Sequence, residues 1–353
     1  MKPLILVTGG TGYIGSHTVV ELQQSGFDVV IADNLANSNA SVVDAIFSIT
    51  GIQAHFELID VCDETQLNNL FKKYPQITGV IHFAAFKAVG ESVVAPLKYY
   101  YNNLVSLINL MKCMQNYNVT NFVFSSSCTV YGEPAQLPVT ENFEMLKANS
   151  PYGNTKQICE KIIQDTIHSN DQIKCIALRY FNPAGAHSSA LIGEYPIGVP
   201  NNLVPFITQT AIGKRDCLSV FGNDYPTPDG SCIRDFIHVV DLAKAHVISL
   251  NRLLSSKNKK NYEVFNIGTG IGNSVLEVIH AFEKVSNKKL NYKIAKRRAG
   301  DIVSIYADTT FANEELGWKA HLNLYDMLDS AWKWEQHLSP QPSPKEREER
   351  HLP

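Results

Sequence analysis

Residues 4 to 15 read L-I-L-V-T-G-G-T-G-Y-I-G. An apolar run, Leu4 to Thr8, passes straight into glycines, and Tyr13 to Ser25 continues with a helical pattern. A strand, a glycine turn and a helix start in this order place the positive end of a helix where a phosphate can reach it. Gly9, Gly12 and Gly15 allow the tight turn and let a pyrophosphate approach the backbone N–H groups. Asp33 ends the next apolar run, 18 residues after Gly15. There a carboxylate can accept hydrogen bonds from an adenine ribose and repel a 2′-phosphate, which favours NAD over NADP.

Outward from this turn, short apolar runs recur at Val29 to Asp33, His55 to Ile59, Gly79 to Phe83, Asn121 to Ser125 and Ile173 to Tyr180, separated by helical stretches. Near-continuous apolar strands spaced by helices predict a parallel sheet covered on both faces, hence a Rossmann-type, doubly wound α/β lobe over residues 1–180. Beyond Tyr180 the segments 182–202 and 222–233 are rich in Gly, Pro and Asn, which predicts a smaller α/β lobe with ligand-facing loops over 181–338. Part of 232–268 is expected to return to the first lobe. Residues 339–353 carry almost no apolar side chains and read as a disordered tail.

With 44% hydrophobic and 18% charged residues and a net charge of -3, the composition is that of an ordinary soluble protein and gives no support for nucleic acid or an anionic membrane as partner. The N-terminal run lacks the apolar length and cleavage site of a signal peptide, and no stretch of ~18 apolar residues follows. Seven cysteines, with no C-x-x-C pair, fit free thiols in a reducing compartment, so a cytoplasmic protein is expected. No His, Asp and Glu cluster has metal-ligand spacing, so no metal is expected, and His82 and His238 read as structural.

Residues 149 to 156 read N-S-P-Y-G-N-T-K. Ser150 and Pro151 signal a helix entry, which puts Tyr152 and Lys156 one turn apart on one face. Taken alone, that pair reads as an exposed aromatic and a lysine. Upstream, F-S-S-S-C-T-V-Y-G at 124 to 132 brings hydroxyls to a strand's C-terminal end, where open α/β sheets bind ligands, and offers Ser127 as a partner for Tyr152.

The glycine turn with Ser127, Tyr152 and Lys156 resembles the extended short-chain dehydrogenase/reductase family. H-F-A-A-F-K-A-V-G-E-S, R-Y-F-N-P-A-G-A, P-N-N-L, F-G-N-D-Y-P-T-P-D-G, R-D-F-I-H-V and R-R-A-G-D extend the likeness over about residues 2 to 337, toward members of that family that epimerise nucleotide sugars at C4. The resemblance implies interconversion of UDP-glucose and UDP-galactose with tightly bound NAD. Tyr152 would act as general base, Lys156 as its cationic support, and Ser127 as holder of the sugar 4-oxygen. It implies NAD contacts at Tyr13, Ile14, Asp33, Asn34, Asn37, Asp60, Val61, Phe83, Lys87, Asn102 and Phe181, besides the catalytic trio. It implies nucleotide-sugar contacts at Asn182, Asn202, Leu203, Phe221, Arg234, Arg298 and Asp301, the two arginines suiting a diphosphate. Ile305 falls where relatives border the sugar's 2-substituent, and a homodimer through the helices after the fourth and fifth strands is implied as well.

Two other readings compete. Nucleotide-sugar 4,6-dehydratases resemble S-T-D-E-V-Y-G at this strand end, but here the two carboxyl positions are Cys128 and Thr129, which disfavours elimination. An NAD-sensing protein without catalysis would be expected to lack part of the trio, and Ser127, Tyr152 and Lys156 are all present.

Overall fold

The structure is a computed structural model and describes residues 2–298 and 300–338. The expected tail, 339–353, lies outside the described residues. The first lobe begins with β1 (Leu4–Thr8), α1 (Tyr13–Gln24), β2 (Asp28–Asp33), α2 (Ser41–Thr50), β3 (His55–Leu58), α3 (Glu64–Lys73) and β4 (Ile77–His82). It continues through α4 (Val89–Val94), α5 (Pro96–Asn116), β5 (Asn121–Ser125), α6 (Pro151–Ser169) and β6 (Lys174–Tyr180). Then follow β7 (Asn182–Ala184), α7 (Leu203–Ala211), β8 (Leu218–Phe221), β9 (Ile233–His238), α8 (Val239–Leu254) and β10 (Tyr262–Ile267). The chain closes with β11 (Gly272–Ser274), α9 (Val275–Ser286), β12 (Tyr292–Ala295), β13 (Ser304–Ile305) and α10 (Leu324–Leu338).

The main sheet has seven strands in the order β10-β6-β5-β4-β1-β2-β3, all pairs parallel. Its order reverses between β1 and β4, the crevice where doubly wound sheets bind ligands. Alternation along β1 shows why its run is continuously apolar. Ile5 and Val7 face α1 and α8 with Val19, Val20, Leu242 and Leu250, while Leu4 and Leu6 face α3 and α5 with Leu67, Phe71, Leu107 and Leu110. Full burial of such a side chain contributes about 1.5–3 kcal/mol, so both faces must be covered for the strand to hold.

The second lobe has its own core, built from Val204 and Ile207 of α7, Phe236 of β9, Val278 and Phe282 of α9, and Met327 and Trp332 of α10. There β9 pairs with β7, β11 and β13, and β8 with β12. We propose a division into two lobes that assigns α8 and β10 to the first, because α8 covers the sheet and β10 extends it beside β6. A small cluster of Cys128, Tyr131, Val139, Phe181, Ile305 and Ala307 joins the lobes behind the end of β5.

Candidate active site

The glycine turn carries the first part of the site. Gly9 has φ of +73°, and a Cβ there would lie 2.7 Å from the backbone nitrogen of Ala84. A Cβ at Gly15 would run into the carbonyl oxygen of Gly9. Both side chains are therefore excluded, and α1 starts hard against β1. Gly12 is the N-cap of α1 and offers no capping side chain, so the first-turn N–H groups are left to an outside acceptor. Asp33 is buried at the end of β2, and its carboxylate accepts from the N–H groups of Thr11 at 3.1 Å and Leu35 at 2.9 Å. A cradle without side chains, an uncapped helix start and an adjoining carboxylate fit a dinucleotide.

Asn34 caps its own turn through the Ala36 N–H at 3.0 Å, and Asn37 lies exposed beside it. Asp60 accepts from the Cys62 N–H at 2.8 Å, Val61 is buried, and Asn102 donates to Asn103 at 3.0 Å. Asn103 escaped the sequence reading. Buried on α5, it donates to the Phe86 carbonyl at 3.1 Å and to Thr155 at 3.0 Å, tying the loop after Phe83 to α6.

The second part is the wall formed by β5 and α6. Ser150 caps α6 by accepting from the Gly153 N–H at 3.1 Å, with Pro151 in the first turn. The buried stripe of this helix runs Tyr152, Thr155, Lys156, Cys159, Glu160, Ile163 and Ile167, so its catalytic candidates and its core contacts share one face. Tyr152 is 6% exposed. Burial pushes its phenol well above the usual tyrosine range, reinforced by Tyr180, while the Ser127 hydroxyl beside it pulls the other way. Ser127 accepts from the Thr129 hydroxyl at 3.0 Å and from the Thr129 N–H at 3.2 Å. Lys156 is buried, donates to the Ser125 carbonyl at 2.7 Å and lies 4.9 Å from the centre of the Phe124 ring. Burial lowers its ammonium to about 8. His82 bonds to Thr8 at 2.7 Å, and His238 caps α8 through the Val240 N–H at 3.1 Å.

The substrate candidates gather in two groups. Arg234 and Arg298 converge on the Asp301 carboxylate, at 3.8 Å and 2.7 Å, and the Arg298 guanidinium lies 5.4 Å from the Phe221 ring centre. Arg234 stands opposite Ile305 in the register of β9 and β13, and Ile305 is 2% exposed in the cluster that holds Phe181 and Cys128. The other group centres on Glu194, which no sequence motif marks. Its Oε1 accepts from Asn202 at 2.6 Å and from Lys87 at 3.2 Å, joining the start of α7 to the loop after β4. Tyr13 donates to the Gly185 carbonyl at 2.6 Å nearby. Asn182 opens β7 opposite Phe236, and Leu203 opens α7.

A parallel sheet whose switch point carries the glycine turn, with a serine, a tyrosine and a lysine on the adjoining wall, is the arrangement of the extended short-chain dehydrogenases/reductases. The family model described as GDP-mannose 4,6 dehydratase matches residues 6–331. A UDP-glucose 4-epimerase of Dictyostelium discoideum is 52% identical over 343 residues, covering 96% of this chain and 98% of that one. The crystal structure of UDP-glucose 4-epimerase from Bifidobacterium longum in complex with NAD+ and UDP is similar at a TM-score of 0.91 and 45% identity, covering 96% of this chain and 99% of that one. The enzyme from Stenotrophomonas maltophila with bound NAD and formylated UDP-arabinopyranose matches at 0.92 and 46%, covering 96% and 99%. Within its class, the chain belongs to the UDP-glucose 4-epimerase family.

Proposed function

We propose that the chain interconverts UDP-glucose and UDP-galactose by oxidising the sugar transiently at C4, letting the 4-keto sugar turn over, and reducing it on its other face. The observation that carries this reading is the buried wall at the end of β5 and the start of α6, where Tyr152 has the Ser127 hydroxyl beside it and Lys156 is tied to the Ser125 carbonyl at 2.7 Å. Tyr152 takes the proton of the 4-hydroxyl, and Ser127 holds the same oxygen. Lys156 favours the phenolate through its charge without bonding to it, since its ammonium reaches the Ser125 carbonyl. The glycine turn and Asp33 would hold NAD, which when bound supplies the hydride acceptor and donor at C4. Arg234 and Arg298 suit the diphosphate, which would compete with Asp301 for their N–H groups.

Dehydration fits less well. Burial pushes the Cys128 thiol up to about 12, and Thr129 is engaged with Ser127, so neither can serve as a carboxyl acid or base. The test is purified protein with UDP-galactose in deuterated water and no added NAD. UDP-glucose should form with no deuterium at C4, because the same hydride leaves and returns. Appreciable deuterium at C4 would refute the mechanism.

A homodimer through the helices after the fourth and fifth strands is supported on the fourth-strand side, where α4 and α5 expose the apolar side chains Val94, Leu97, Tyr101 and Ile108. A single-chain mass in sedimentation at micromolar protein would refute it. Seven free thiols among the described residues support a reducing cytoplasm.

Ile305 bears on which sugars enter. The family resemblance implies that this position borders the sugar's 2-substituent, bulky in strict forms and small in those that take N-acetyl sugars. Branched at Cβ and packed with Phe181, Ile305 cannot swing aside for an acetamido group. The expected result is strong preference for UDP-glucose and UDP-galactose, with Ile305→Gly gaining N-acetyl activity relative to the parent pair. Equal kcat/KM on both pairs in the wild type, or no gain in the variant, removes Ile305 from the role.

A further inference from the structure

Behind the catalytic wall lies an ion pair that the reaction itself does not use. Arg179 Nη2 donates to Glu160 Oε2 at 2.6 Å and its Nε to Oε1 at 3.0 Å, with the two side chains 5% and 0% exposed. Ser126 Oγ donates to Oε1 at 2.5 Å and the Tyr262 hydroxyl to Oε2 at 3.1 Å, so each carboxylate oxygen has two donors. Arg179 Nη1 donates to the Tyr131 hydroxyl at 3.1 Å and to the Glu141 carbonyl at 3.2 Å. A buried ion pair is weak evidence of stability, because well-packed apolar residues of equal volume often serve as well. Its placement is what distinguishes it. Glu160 follows Lys156 by one turn of α6, and Ser126 sits between Ser125, which accepts from Lys156 at 2.7 Å, and Ser127. Two tethers from one helix face, Lys156 to the Ser125 carbonyl and Glu160 to the Ser126 hydroxyl, therefore hold the strand end that leads into Ser127, the hydroxyl beside Tyr152.

We propose that Glu160, oriented by Arg179, is a positioning residue of this site: it clamps the Ser126–Ser127 strand end to the turn of α6 that carries Tyr152 and Lys156. The proposal rests on the reading of Ser127, Tyr152 and Lys156 as the catalytic trio. The carboxylate has a second effect on the same wall. Lys156 is faced by Tyr152, Cys159 and Glu160 from its own helix, by His82 from β4, and by the Phe124 ring and Ser125 carbonyl from β5, while Arg179 of β6 stands behind Glu160. Burial lowers the Lys156 ammonium, and Cys159 and then Glu160 act against that fall, Glu160 being the carboxylate of the set.

The experiment compares Ser126→Ala, Glu160→Gln and Tyr152→Phe in the full chain with its bound NAD, measuring kcat, KM for UDP-galactose, NAD content, Tm and the pH profile. Ser126→Ala, a small change, should keep NAD content, KM and nearly all of Tm while kcat falls about tenfold, because a displacement well under 1 Å at the trio suffices. Glu160→Gln should lower kcat and move the alkaline limb of its pH profile down by about one unit, since Lys156 loses its carboxylate neighbour. A wild-type kcat in Ser126→Ala overturns the proposal, and so does an unmoved alkaline limb in a folded Glu160→Gln. Should Glu160→Gln fail to fold, Ser126→Ala decides alone. An active Tyr152→Phe would overturn the catalytic reading and this one with it, whereas an inactive Tyr152→Phe beside wild-type Ser126→Ala overturns only the clamp.

Discussion

Tyr152→Phe is expected to lose ~10²- to 10⁴-fold in kcat, the usual effect of removing a general base, while retaining bound NAD. The phenol is the one polar atom the substitution deletes. The ring stays in its buried place on α6, and Ser150 still caps the helix through the Gly153 N–H. Burial and Tyr180 keep the phenol protonated in the free chain, so the residue works as a base only where cationic charge is brought against it. That makes the loss one of chemistry rather than of binding: KM for UDP-galactose should change little. The check is kcat and NAD content on the same preparation, and near-normal turnover would remove Tyr152 from its role.

Lys156→Met is the second large effect, a loss on the order of 10²-fold, comparable to deleting one preorganised donor, together with a changed pH profile. The sign follows from two shifts. Burial lowers the lysine to about 8, so its ammonium is present below that pH and lost above it, which sets the alkaline limb of the wild type. Burial raises the Tyr152 phenol, reinforced by Tyr180, and a cation one helical turn away carries the sign of charge that favours phenolate. Methionine removes the cation at every pH. The alkaline limb near 8 should vanish, and the acid limb should move to higher pH as the phenol becomes harder to ionise. A profile of kcat/KM between pH 6 and 10 that keeps the wild-type shape would contradict this account.

The first lobe was legible because its strands are buried on both faces and its glycine turn is local. Leu4–Thr8 and Asn121–Ser125 come out at the expected residues, and the other expected strands differ by one or two residues at their ends. The start of α6 was legible for the same reason, Ser150 and Pro151 opening the helix that carries Tyr152 and Lys156. The strands within the second lobe were not. Its strands are as short as Ser304–Ile305, and β7, β9 and β13 pair across long separations, so periodicity has too few residues to act on. Glu194, Glu160 and Arg179 were missed because what marks them is a partner: Arg179 lies 19 residues from Glu160, and Lys87 lies 107 from Glu194. Nothing local separates such residues from surface charges.

The return of the chain to its first sheet has a consequence for how the molecule is made. Residues 1–180 leave the ribosome with β6 as an outer strand, its hydrogen-bonding groups open along the flank that β10 later takes. An unpaired apolar edge of this kind is a template for association between nascent chains. The edge stays open until Tyr262–Ile267 has been synthesised, and by then α7 and most of the second lobe's first half has already emerged. Cut at residue 180, the proposed first lobe would therefore be no autonomous module. A chain shortened at residue 180 would be short of a strand and of its covering helix α8, and domain shuffling could not transplant the fold by a single cut.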